Sequence, residues 1–220
     1  MKKLLSLFLI LALSVSLCIP AYAAVPSSSN NVISFEEYNA AVRTEYARHH
    51  IKYECTSYDK NFVFTKELLK QKLEDIEKTA SGFTYDTSTN SFVDSVPALE
   101  TAQGNISPYA IIGAVTRYKN ETAKSPSGMG SANILVTIKT HDDISLGKFV
   151  AIDSCTSRQY GGAVNFQSWT DTGNSLSIST DRNWVNGFIN GTLVIAYTEK
   201  LTGMNITYTS DHSILIGISQ

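Results

Sequence analysis

The sequence predicts a mostly β protein, α+β overall. An antiparallel β-sandwich of about eight strands over 108–220 follows a small helix–strand–helix segment. Three observations carry this reading. Two early stretches repeat apolar residues at helical spacing behind clear N-caps. After Pro108, apolar and polar residues alternate with the period of a half-buried strand. Small and turn-forming residues interrupt that alternation about every dozen positions.

The chain opens with Lys2 and Lys3, an apolar run from Leu4 to Ile19, then Pro20 and Ala21-Tyr22-Ala23. This is the charged, apolar and small-residue order of a secretory signal, with cleavage expected after Ala23. Residues 1–23 are therefore expected to be removed. The protein is expected outside the cytoplasm: secreted, or periplasmic if the source has an outer membrane. The Lys-Lys, Leu-rich leader has a bacterial character. Leu17 stands before Cys18, where lipid attachment wants a small side chain, and no anchor is expected at the other end. The whole chain carries a formal charge of −2, and losing two lysines makes it more acidic. That gives no electrostatic footprint for nucleic acid or an anionic membrane.

Residues 24–107 form the first segment of the expected domain plan. Ser34 stands three residues before Glu37 as a capping box, with Ile33 and Tyr38 placed as a hydrophobic staple. Phe35, Tyr38, Val42 and Tyr46 then share one helical face, which should end near His49-His50. Ile51, Tyr53 and Cys55 alternate with polar residues as a strand. Thr65 caps a second helix through Leu69, Leu73, Ile76 and Ala80, and Gly82 is expected to stop it in the left-handed conformation. From Thr84 to Ser107 the chain is polar and reads as a hairpin or linker.

Over 108–220 the strand runs are Tyr109 to Tyr118, Ile134 to Ile138, Val150 and Ile152, Val164 and Phe166, Leu176 and Ile178, Leu193 to Tyr197, Met204 to Tyr208, and Ile214 to Ile218. Turn signals are Ser127-Gly128, Gly161-Gly162, Gly173-Asn174, Asn190-Gly191 and Thr202-Gly203. Asn190-Gly191 has the form of a two-residue hairpin turn between Trp184–Ile189 and Thr192–Tyr197. No strand alternates with a helix here, which excludes a doubly wound parallel sheet.

Motifs that impose a chemistry are few. Cys55 and Cys155 are a possible disulfide, closing a loop worth about 4.7 kcal/mol in the chain-entropy limit. Cys155, Asp153, His141 and His212 contain the residue types of a thiol nucleophile, base and orienting acid, with nothing to set their geometry. In an unbroken strand Asp153 and Cys155 point the same way. His49 and His50 are adjacent and do not chelate together. His141-Asp142-Asp143 reads as a charged turn. Asp86, Ser88 and Asn90 start like a calcium loop, but Ser91 and Pro97 stand where Gly and Glu should be. Gly128-Met129-Gly130 lacks the Lys-Ser and helix start of a phosphate cradle. No catalytic residue, metal site or cofactor is assigned.

The positive hint is aromatic. Trp169, Trp184 and Tyr160, with the loop residues Ser127, Gly128 and Met129, are the candidate binding residues, since exposed aromatic rings stack on sugars or anchor partners. The expectation is an extracellular binding or interaction module for a cell-surface glycan or protein, without a stable membrane anchor and not an enzyme. A secreted hydrolase with a site assembled only by the fold, and a membrane-acting effector, are the alternatives.

Overall fold

The computed structural model describes residues 31–94, 111–162 and 166–220. The expected leader, the expected linker beyond Asp94, Tyr109 and the Val164 position lie outside these residues. Two helices and nine strands are present among the described residues, giving a mostly β, α+β protein.

Helix α1 spans Phe35–Arg48 and helix α2 spans Lys66–Ala80. The N–H of Glu37 donates to Ser34 Oγ (3.0 Å), and the N–H of Leu68 donates to Thr65 Oγ1 (3.2 Å). Each bond satisfies a donor that the first helical turn leaves open. Glu36 and Glu37 in the first turn and Arg48 in the last complement the helix dipole. His50, at φ 58°, ends α1 and stacks on Tyr85. Helix α2 stops differently from expectation. Gly82 stays out of the left-handed region, and the N–H groups of Gly82 and Phe83 reach Thr79 and Ala80 in a tightened last turn. Phe83 is thereby turned onto the core, which a left-handed exit is not needed to achieve.

The strands are β1 (Lys52–Ser57), β2 (Thr84–Asp86), β3 (Ser91–Asp94), β4 (Ile112–Lys124), β5 (Ser131–Asp143), β6 (Lys148–Gly162), β7 (Phe166–Ile178), β8 (Trp184–Thr198) and β9 (Asn205–Ser219). One sheet has the order β2-β3-β9-β8-β7, with β1 also paired to β9, and the other has the order β4-β5-β6. β9 receives β1 at Thr209-to-Asn205 and β3 at His212-to-Ile214 along one edge. The β3–β9 pair is parallel, which alternation cannot reveal. The early segment is therefore woven into the same sheet as the later strands.

Asn190-Gly191 is not a turn. β8 runs through it without a break, paired with β7 and β9 on both sides. A Cβ built on Gly191 would lie 2.1 Å from Trp169 Cζ2, so the missing side chain is the seat of an indole from the next strand. Gly173-Asn174 likewise lies inside β7, at a bulge after Asp171, with Gly173 at φ 133°. The expected turns at Ser127-Gly128 and Thr202-Gly203 are real, each with its glycine at positive φ.

Among the described residues, one face of the large sheet is packed beneath two different covers. Tyr53, Tyr208, Ile206 and Phe92 lie under the helices with Tyr38, Val42, Tyr46 and Ile76. Ile189, Leu193, Ile195, Ile214 and Ile216 lie under the small sheet with Ile134, Val136 and Ile138. Tyr46 and Tyr208 share a buried hydroxyl–hydroxyl bond of 3.1 Å in the first region. Met129 packs against both regions. His212 sits where they meet, its ring near Phe92 and Trp169.

Candidate functional site

The sheet's other face carries the polar half of the alternation. On β8 the residues Trp184, Asn186, Phe188, Asn190 and Thr192 face away from the core, opposite Val185, Ile189 and Leu193. The β2–β3 hairpin rises beside them. Together they enclose a cavity of about 430 Å³ lined by Asp86, Thr89, Val93, Ser175, Phe188, Asn190 and Ser213. That is within the size range of small-ligand sites, roughly 300–1,000 Å³.

Phe188 and Val93 supply apolar surface, and the other five residues supply oxygen and nitrogen. The polar groups are organised before any ligand arrives. Ser213 Oγ donates to Asn190 Oδ1 (2.7 Å), Ser91 and Ser213 share a hydroxyl bond (2.6 Å), and Thr89 shares one with Ser91 (2.8 Å). This chain ties the hairpin tip to the sheet floor. At the hairpin, the hydroxyl and backbone N–H of Ser88 donate to Asp86 Oδ1 (2.7 and 2.8 Å). Those bonds hold the Asp86 carboxyl below the usual carboxylate range. Asp86 therefore stays charged at the cavity wall. The same bonds show what Asp86-x-Ser88 does here: it caps the turn, in place of opening a calcium loop.

The candidate aromatic residues do not converge. Trp169 is 8 % exposed and belongs to the inter-sheet core, where its indole N–H donates to Ser157 Oγ (2.9 Å). Trp184 is 46 % exposed and shares the outer face of β8 with Phe188, about 13 Å along the strand. Tyr160 is 51 % exposed but lies on the other sheet, at a β6 irregularity between Gln159 and Gly161. Ser127, Gly128 and Met129 form a closed turn in place of the open loop that their composition suggests. Ser125 and Ser127 are buried and share a hydroxyl bond of 2.7 Å. A Cβ on Gly128 would strike Thr79 of α2 at 2.7 Å, so the turn is wedged against that helix.

The thiol set does not assemble either. His141 Nδ1 and Asp153 Oδ1 pair at the surface, 2.8 Å apart. Asp153 is the extra residue of a β-bulge between Ile152 and Ser154, which breaks the alternation and turns it away from Cys155. Cys155 is buried, and burial together with Asp171 pushes its thiol up to about 11. It is a protonated thiol and a poor nucleophile at neutral pH. His212 is bonded to Ser210 (2.9 Å) in the core. Nor do the cysteines pair: both are free thiols, Cys55 against the helical region and Cys155 between the sheets. In the His141-Asp142-Asp143 group, Asp142 binds Arg117 and Asp143 caps the next turn through Ser145 and Leu146.

Sequence reasoning missed the cavity because Asn190 was assigned to a turn that would have ended the strand carrying Phe188. Once β8 is continuous, the two alternate positions 188 and 190 fall on the outer face. Compared with protein-family models, with curated proteins and with solved structures, the chain finds no match.

Proposed function

We propose that the protein is an extracellular binding module, and that its ligand is a glycan held in the outer-face cavity. The observation that carries this reading is the combination at one place of the Phe188 side chain with the Thr89–Ser91–Ser213–Asn190 chain and the charged Asp86. A sugar ring offers an apolar C–H face and a rim of hydroxyls. An aromatic ring beside fixed donors and acceptors matches both. The leader-like order of 1–23 supports an address outside the cytoplasm. Trp184, on the same face, is positioned to meet a longer chain beyond the cavity.

A glycan array followed by calorimetry on the best hits tests the reading. Saturable binding of a mono- or disaccharide unit is expected. Phe188→Ala and Asn190→Ala should each weaken it at least tenfold, since both side chains face away from the core and the fold should survive. Folded protein that binds no glycan, or binds one equally well in both variants, would overturn the proposal. A protein partner captured in place of glycan would do the same.

A further inference from the structure

The helices hold a separate arrangement of donors, unconnected with the sheet-face cavity. Glu45 and His49 are four residues apart on α1 and so share a face. Glu77 reaches the same place from α2. One donor atom from each of Glu45, His49 and Glu77 lies within 4.8 Å of the others. Glu45 Oε1 and His49 Nε2 are 3.3 Å apart. Two ligands bonded at about 2.0–2.2 Å to a tetrahedral ion stand roughly 3.3–3.6 Å apart. The first pair is already set at the edge length of such a polyhedron.

Glu45 and His49 form a close i,i+4 pair, but the hydrogen bond between them is not made. The His49 side chain is 24% exposed, but its Nε2 atom has no solvent contact and makes no hydrogen bond, its near neighbour being Glu45 Oε1. A nitrogen so placed is costly to leave unused. We propose that Glu45 Oε1, His49 Nε2 and a carboxylate oxygen of Glu77 bind one divalent transition-metal ion, with Zn²⁺ the best fit. One imidazole with two carboxylates suits that borderline class better than Ca²⁺ or Mg²⁺, which prefer oxygen alone. Two carboxylates also balance the charge of a dication.

The surroundings agree with this assignment. Arg48 Nη1 donates to Glu45 Oε2 at 2.9 Å and to Oε1 at 3.1 Å. With Oε1 on the ion, the Oε2 bond remains and orients the carboxylate from behind, as outer partners of metal ligands do. A cavity of about 500 Å³ lined by Glu45, Arg48, Leu73, Glu74, Glu77 and Lys78 opens at the same place. It leaves room for water at a fourth position. The ion would tie α1 to α2 above the tyrosine-rich half of the sheet.

The test is a Zn²⁺ titration of the full chain in competition with a chromophoric chelator, with thermal unfolding alongside. One ion per chain is expected. His49→Ala and Glu77→Gln should each weaken it at least tenfold, and Zn²⁺ should raise Tm by several degrees in the parent and in neither variant. His141→Ala, at the exposed pair with Asp153, should bind like the parent. Absence of binding, or Zn²⁺ affinity unchanged in Glu77→Gln, would overturn the proposal. Glu77 is exposed, so that variant remains informative even if His49→Ala folds poorly.

Discussion

The indole of Trp169 lies directly on the backbone of Gly191, so closely that a methyl group at 191 would sit 2.1 Å from Cζ2. The two positions are diagonal neighbours on strands β7 and β8, Trp169 pairing with Leu193 and Gly191 with Asp171, and the ring fills the space that the glycine leaves on the inner face. Gly191→Ala must therefore displace the ring or the strand. A loss of about 1–3 kcal/mol is expected, as for other overpacked cores. Urea unfolding measures it. In a Trp169→Ala background the same alanine should cost much less, and a double-mutant cycle reads the difference as coupling.

His212 is 4 % exposed, and burial lowers its pKa to about 4, with Asp211 opposing that shift. In the unfolded chain it titrates near 6.5. Its contribution to stability is therefore complete above pH 6.5 and is lost progressively as pH falls toward 4. Between pH 7.5 and 4.5 the loss should be about 2–3 kcal/mol. His212→Gln keeps a partner for Ser210 and removes the titration. Unfolding curves at the two pH values should show the parent losing more than the variant by that amount.

Arg117 and Asp142 form a part-buried pair, with Arg117 Nη2 donating to Asp142 Oδ2 at 2.6 Å and Nη1 to Thr140 Oγ1 at 2.8 Å. The guanidinium also lies over the Phe149 ring. Burial opposes charge on Asp142, yet the bonds from Arg117, Thr140 and Gln220 outweigh it and hold the carboxyl below its usual range. Arg117→Met strands that carboxylate in the core. A loss of about 3–5 kcal/mol is expected at neutral pH. It should shrink as pH falls, because burial raises the unpaired carboxyl and protonation relieves it. Urea unfolding at pH 7 and pH 4, followed by circular dichroism, measures both.

Cys55 and Cys155 are both free thiols, which bears on handling as well as on structure. Under native, unreduced conditions Cys155 should resist alkylation, since it is buried and its thiol stays protonated to about 11. Cys55 is partly exposed and should react, slowly, because burial also raises its pKa. Denaturation without reductant should expose the thiols of both Cys55 and Cys155. Mass spectrometry after alkylation counts them, and a 55–155 crosslinked peptide would contradict the structure.

How far the fold could be read from the sequence depended on the range of the interaction concerned. Ser34 with Glu37 and Thr65 with Leu68 act within three residues, and both helix starts fall where those caps place them. Alternation from Ile134 to Ile138 and from Ile214 to Ile218 likewise reports a local burial pattern. Gly191 shows where local reading fails. An Asn-Gly pair is a turn signal only if nothing distant needs the space, and here Trp169 does. The cavity was hidden for the same reason, since Asp86 and Thr89 meet Phe188 and Asn190 only after β3 has paired with β9.

The arrangement around β9 also has a kinetic side. Thr56 of β1 donates to Asn205, 149 residues away, and Ser91 of β3 meets Ser213 across 122 residues. Neither early strand has a partner on its open side until β9 has been made and delivered. Closing such long loops slows the search for the native state. A half-built chain would carry bare strand edges and uncovered tyrosines for that whole interval, the surfaces through which incomplete chains aggregate.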